Sequence, residues 1–174
     1  MGAGDAAVWE DIAALVDPPL VHLVAQTTQS MASNTTNAIA FGTNSEYQDT
    51  HGFHNETTNN SRITPTVPGI YRVSGKVAYG ARTDFRITDC WLRMNGTTAV
   101  DGSSGRNNAS TASANSTTVS ANQVVHTGEH YIEFNGTTDY VELLGVQTNT
   151  AAADPSTAAS GQFRSTLSLE YVRP

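Results

Sequence analysis

The chain has 174 residues with 14% charged, a formal net charge of −7, and a single cysteine and a single lysine. Twenty-four threonines, 15 serines and 13 asparagines, about 30% of the chain, stand where charge would normally be, charged residues making up about 25% of an average domain. This arithmetic excludes an intrachain disulfide, a cysteine-based zinc centre, a phosphate-neutralising basic surface and a long amphipathic helix bundle.

No apolar run approaches the roughly 20 residues of a membrane span, and no basic-then-apolar leader opens the chain. The expectation is a β-rich, soluble domain of one core over 20–174, with no nucleic-acid and no membrane partner. Residues 1–19 are a different kind of sequence. Asp5 can cap a helix over Ala6–Val16, on which Val8, Ile12, Leu15 and Val16 share one face and Trp9 lies nearby; Pro18-Pro19 ends it. About eleven residues are too few for a stable isolated helix. It is expected to dock, and Val8, Trp9, Ile12, Leu15 and Val16 are the candidate anchor to an assembly partner.

From Leu20 the period becomes two. Leu20–Ala25 and Ala38–Phe41 are short strands, and Gly42–Ser61 is a polar loop holding Tyr47, Phe53, His51 and His54. Ile70–Tyr79 is the strongest strand, with Tyr71, Val73, Val77 and Tyr79 on one face and Arg72, Ser74 and Lys76 on the other. In Asp89–Met94, Cys90, Leu92 and Met94 alternate with Trp91 and Arg93. Asn95-Gly96 is a hairpin signal, residues 97–101 return from it, and 117–134 is a long strand ending in Tyr131, Ile132 and Phe134. Asn135-Gly136 is a second hairpin signal, and Asn-Gly-Thr-Thr occurs at both turns. Tyr140–Gln147 and Phe163–Val172 complete the set. Two Ser/Thr/Asn/Ala/Gly-rich stretches, 101–116 and 149–161, are loops.

This pattern predicts an all-β sandwich or jelly roll with a short N-terminal helix. Counting strand reversals puts loops 80–87, 101–116 and 149–161 at one end. Both Asn-Gly turns and both termini share the other. Phe85, Arg106, Asn107, Asn108 and Asp154 are then the candidate ligand-facing residues. Tyr140, Leu144 and Val146 lie opposite Val141 and Leu143. A strand apolar on both faces reads as covered twice, by its own core and by neighbouring chains, which makes these three the candidate interface between chains.

No catalytic constellation emerges, and no enzyme activity, metal or cofactor is expected. His51-x-x-His54 and His126/His130 lack a third ligand and read as solvated loop residues or strand residues. Cys90 alternates with core positions and reads as an inert thiol. The carboxylates, Asp89, Asp139 and Glu142 among them, show no paired spacing and read as surface groups. Seven Asn-x-Ser/Thr matches, at Asn34, Asn55, Asn59, Asn95, Asn108, Asn115 and Asn135, read as a by-product of composition. Trp91, Arg93, Phe53 and Phe85 could form a saccharide platform, although an aromatic packed on a neighbouring loop is the more ordinary outcome.

Val67-Pro68-Gly69-Ile70-Tyr71-Arg72-Val73 resembles the Pro-x-x-Gly-x-Tyr strand of the tumour necrosis factor and complement globular-head jelly rolls. Leu92–Thr97 is similar to the hairpin that comes after it, Asp139-Tyr140-Val141-Glu142-Leu143 to the Gly-Asp-x-Val-x-Leu strand, and Phe163–Tyr171 to the closing strand. Thr138 departs from the pattern, standing where the family has glycine. The likeness spans roughly 20–173. It implies a TNF-like jelly roll and a homotrimer. Ser/Thr/Asn-rich versions resemble bacteriophage virion proteins, minor tail or head-decoration proteins. The resemblance therefore implies a virion-surface structural protein attached through residues 1–19 to capsid or tail proteins, with a carbohydrate- or receptor-binding module for host attachment as the alternative.

Overall fold

The computed structural model describes residues 17–80, 85–108, 123–149, 157, 159–160 and 162–174, with the backbone alone at 85, 86, 108, 159 and 160. The expected N-terminal helix lies outside the described residues. Within them the strands are β1 (Leu20–Val24), β2 (Asn37–Ala38), β3 (Glu46–Asp49), β4 (Arg62–Ile63), β5 (Gly69–Tyr79), β6 (Phe85–Met94), β7 (Thr98–Ala99), β8 (Gly105–Asn108), β9 (Gln123–Phe134), β10 (Val141–Asn149), β11 (Ala159–Ser160), β12 (Phe163–Arg164) and β13 (Thr166–Arg173), with no helix. One sheet runs β3-β1-β13-β5-β9. The other runs β2-β10-β6-β7, with β4 pairing β10 and β8 pairing β6. Every named pair is antiparallel.

Alternation explains the core. In β5, Tyr71, Val73, Val77 and Tyr79 are fully buried, as are Cys90 and Leu92 of β6, Val141 and Leu143 of β10 and Leu167 and Leu169 of β13. Together they fill the space between the sheets. Tyr71 is the hub of an aromatic cluster, edge-on to Phe53, Phe134 and Tyr171 at centroid distances of 6.3, 5.4 and 5.2 Å. Its hydroxyl donates to the Val67 carbonyl at 2.9 Å, so the buried phenol is satisfied. Burial pushes its pKa far above the ordinary value. Gly69, with φ +144°, is required here: a Cβ would come within 2.6 Å of the Arg173 carbonyl and 2.7 Å of the Tyr171 ring.

The strand directions agree with the reversal count at the base. Asn95 N donates to the Tyr140 carbonyl at 3.0 Å and Asn95 Nδ2 to Asp139 at 2.9 Å, so the two Asn-Gly turns touch. The chain enters β1 at that same end, where the Tyr171 amide donates to the Pro19 carbonyl. At the opposite end Tyr79 bridges Thr157 and Thr88 bonds Gln123, so the connections after β5, β8 and β10 leave together.

Several local expectations are corrected. The polar stretch 42–61 contains β3, an edge strand whose only partner among the described residues is β1 and whose side chains carry no apolar alternation. Of the strand expected over Ala38–Phe41 only Ala38 is laddered, with Asn37 before it; Ile39 and Phe41 are buried from irregular chain, the Phe41 amide donating to the Asn60 carbonyl. The loop expected over 101–116 holds β8, laddered to β6 through Asp89↔Arg106 and Cys90↔Gly105. The return from Asn95-Gly96 is therefore a crossing in two pieces, β7 and β8. The long strand expected from residue 117 is described from Gln123, and Tyr140 precedes β10.

The repeated tetrapeptide makes two different turns. Asn95 and Gly96 have φ of 51° and 72°, the signature of a type I′ hairpin turn. Asn135-Gly136 instead joins β9 of one sheet to β10 of the other, so it is a corner and not a hairpin. Its closure is an Asx turn: Asn135 Oδ1 accepts from Thr137 N, Thr137 Oγ1, Thr138 N and Asp139 N at 2.9–3.2 Å. Asn55 does the same for Thr57 and Thr58, while Asn34 and Asn59 take positive φ. Five of the seven Asn-x-Ser/Thr matches are thus turn chemistry. Replacing Asn135 by alanine is expected to cost roughly 1–2 kcal/mol, since four donors lose their acceptor but can reach water. A thermal melt a few degrees below wild type checks this.

Candidate interaction faces

Each sheet turns one face to the core and one outward. The outer face of the five-stranded sheet is built from the alternate residues of its strands. Leu20, Glu170, Arg72 and Tyr131 form one cross-strand row, and His22, Ser168, Ser74 and Glu129 the next. Tyr47 stands beside His22 with ring centroids 5.7 Å apart, edge to face. Arg72 is paired with Glu170 and lies 3.8 Å from Glu129. Its bond to Glu170, then that charge and that of Glu129, raise its pKa above the ordinary value. His22 Nδ1 is 2.6 Å from Ser168 Oγ, and partial burial followed by the Lys76 charge lowers its pKa. A groove of about 360 Å³ runs between Tyr47, His22, Arg72, Glu129 and Glu170.

The large hydrophobics that stand exposed among the described residues are Tyr47 at 80%, Tyr131 at 68% and Val172 at 46%. All three belong to strands of this sheet, β3, β9 and β13. Tyr47 and Tyr131 stand on its two edge strands, with Glu170 and Arg72 between them and Glu129 beside Arg72.

The outer face of the six-stranded sheet has another chemistry. Glu142, directly opposite Arg93 on one side and Arg62 on the other, is only 3% exposed. Its Oε1 accepts from Ser61 Oγ at 3.1 Å and Arg62 Nε at 3.5 Å. Its Oε2 accepts from Arg93 Nε at 3.1 Å and Nη2 at 2.8 Å. The Arg62 guanidinium lies over the Tyr140 ring, 4.1 Å from its centroid. One step up the sheet, Trp91 faces Leu144, which in turn faces Ala38. Beyond them Asp89 takes Arg106 in a two-point bond, Nε at 2.8 Å and Nη2 at 2.6 Å.

The sequence-predicted residues divide accordingly. The anchor set Val8, Trp9, Ile12, Leu15 and Val16 lies outside the described residues, as does Asp154. Phe85 opens β6 and Asn108 closes β8 at the loop end of the molecule. Arg106 is engaged with Asp89, and Asn107 Nδ2 donates to the Val124 carbonyl at 3.1 Å. Of the interface set, Tyr140 is covered in part by Arg62, Val146 is half-buried, and Leu144 is 1% exposed within the single chain. Leu144 therefore needs no sister chain to cover it, and it has little surface left to offer one.

Four side chains depart from their expected setting. His54 is buried, its Nδ1 2.8 Å from Glu46 and its Nε2 3.2 Å from the Asn60 carbonyl, so it pins the 42–61 segment and is no solvated loop residue. Phe53 packs into the core and cannot contribute to a saccharide platform. Glu142 and Asp89 are buried ion-pair partners, not surface carboxylates. Cys90 is a free, buried thiol whose pKa burial pushes up to about 12. Among the described residues no three His, Cys, Asp or Glu side chains converge to hold a metal.

No family model matches the chain, and no curated protein matches it. Solved structures do. The crystal structure of murine APRIL at pH 8.0 superposes with a TM-score of 0.59 at 11% identity, over 88% of this chain and 98% of that one. The same protein at pH 5.0 gives 0.59 at 9% identity, with the same coverage. Eiger TNF from S. frugiperda gives 0.55 at 10% identity, over 88% and 92%. At such identity the likeness concerns the fold: the chain is a TNF-like jelly roll.

Proposed function

We propose that this chain is a non-enzymatic, homotrimeric structural protein of a bacteriophage virion surface, held at its base through residues 1–19 to capsid or tail proteins and presenting polar loops at the far end. The observation that carries the reading is that Tyr47, Tyr131 and Val172, the large hydrophobics exposed among the described residues, all belong to the five-stranded sheet, Tyr47 and Tyr131 on its two edge strands. The outer face of this sheet, in place of Tyr140, Leu144 and Val146, is the one that meets sister chains. β5 with its 11 residues is about 36 Å long, and five strands span about 19 Å. The face is thus on the order of 700 Å², near the 800 Å² or so that each partner buries in a stable interface. The strand directions support the orientation, since the chain enters at one end and its long connections leave together at the other. The virion setting rests on the likeness of the Ser/Thr/Asn-rich jelly roll to such proteins.

Native mass spectrometry of the full chain tests the assembly. The expected mass is three times the 18.4 kDa of one chain, and the double substitution Tyr47→Glu and Tyr131→Glu is expected to leave monomers. A monomeric wild type, or a trimer indifferent to both charges, overturns the interface. Deleting residues 1–19 is expected to leave the trimer intact while abolishing incorporation into particles; incorporation without them removes the anchor. A second reading, a carbohydrate-binding module, is favoured by the other sheet's outer face.

A further inference from the structure

The six-stranded face holds an unbalanced charge group beside an aromatic groove. Asp89 and Arg106 are matched one to one. Glu142 is not: two guanidiniums share one carboxylate. Arg62 gives Glu142 only its Nε, and Arg93 its Nε and Nη2. A guanidinium carries five N–H donors, and the remaining ones of this pair meet no acceptor among the described residues. The Arg62–Glu142–Arg93 group by itself thus carries one more positive than negative charge, on a chain whose net charge is −7. Both arginines keep part of their surface, 36% for Arg62 and 27% for Arg93.

The cross-strand partner of Arg93 on its other side is Ala99. Ala99 is also a wall of a groove of about 330 Å³, whose other walls include Trp91 and the turn Asp101, Gly102, Ser103 and Ser104. Arg93 therefore adjoins the groove, and Arg62 reaches the same carboxylate from the far side of Glu142. The groove combines an indole surface with a rim of a carboxylate, a serine hydroxyl and glycine backbone. That is the chemistry for a ring carrying an apolar face and several hydroxyls. The arginines beside it supply planar donors for a carboxylate.

We infer that this face binds an acidic saccharide, the sugar ring against Trp91 and its carboxylate on the free N–H groups of Arg93 and Arg62. The ligand class is a hexuronate or sialate. Neutral sugars lack the anion that uses the idle donors, and a simple carboxylate lacks the ring that uses the groove. The inference deepens the binding-module reading and does not depend on the trimer, because it uses the opposite sheet.

Calorimetric titration of the full chain with hexuronate and sialate oligosaccharides tests it, each compared with its methyl ester at equal length. At least one acidic sugar is expected to bind at least tenfold tighter than its ester, with affinity falling as salt rises. Trp91→Ala and Arg62→Ala are each expected to weaken it at least tenfold with an unchanged circular dichroism spectrum. Should either variant unfold, the comparison of acid with ester on the wild type still decides. Equal binding of acid and ester overturns the carboxylate assignment, displacement by acetate or inorganic phosphate at matched concentration reduces the site to a plain anion patch, and no binding by any member of the panel overturns the proposal outright.

Discussion

Replacing Gly105 by alanine is expected to destabilise the domain by about 3 kcal/mol, the upper end for an overpacked site. Gly105 opens β8 and pairs with Cys90 on β6. A Cβ there would run into the His126 carbonyl oxygen of β9, with Val125 Cγ1 at 3.0 Å and the His126 carbonyl carbon at 3.1 Å. The obstacle is backbone on a strand of the facing sheet, so no side chain can swing aside. Either β8 peels from β6, breaking the Asp89–Arg106 pairing above it, or the two sheets part at that edge. Gly102, three residues earlier, is the control. It has φ +76° but open space around it, the nearest atom being His130 Cε1 at 3.8 Å. Gly102→Ala should cost only about 1 kcal/mol of backbone strain. A melting temperature on the order of 10 °C lower for Gly105→Ala, with a far smaller drop for Gly102→Ala, is the expected pair of results. Equal melts would mean that close approach to β9 does not govern this strand.

That pair of glycines also marks the limit of reading the sequence. Strands β5, β6 and β13 announce themselves because each buries one face, so apolar residues recur at every second position, and β10 because it is apolar and buried on both faces. β3 and β8 bury almost nothing of their own. They exist because a neighbour offers a free edge, and an edge is a property of the folded sheet. The same holds for charge. Glu142 and Arg93 sit 49 positions apart, and only the antiparallel register of β10 on β6 sets them side by side. Nothing local distinguishes Glu142 from a solvated carboxylate. His54 was equally hidden, since its burial depends on Glu46 in a strand with no apolar signature. The turn residues were more legible: Asn-Gly predicted reversals correctly, but the choice between hairpin and corner belongs to which sheet receives the next strand.

Replacing Glu142 by alanine is expected to cost about 3 kcal/mol, toward the low end for breaking a buried ion pair because both arginines can turn toward water. The carboxylate is what allows Arg62 and Arg93 to lie flat on one sheet face. Without it they repel each other across the space it filled, and Ser61 loses its acceptor. The melt should fall by about 6–12 °C. Glu142→Gln keeps the volume and one acceptor oxygen and should fall between alanine and wild type. The triple replacement Arg62→Met, Glu142→Leu and Arg93→Met should recover most of the loss, since an apolar cluster of similar size carries no charge to desolvate. The same series separates stability from recognition. Glu142→Gln removes the internal competitor for the guanidinium donors, so an acidic saccharide should bind it more tightly although the fold is weaker. The triple variant should be stable and bind none. A Glu142→Ala melt within about 1 °C of wild type would show that the arginines need no anchor. Tight binding to the triple variant would place the ligand elsewhere.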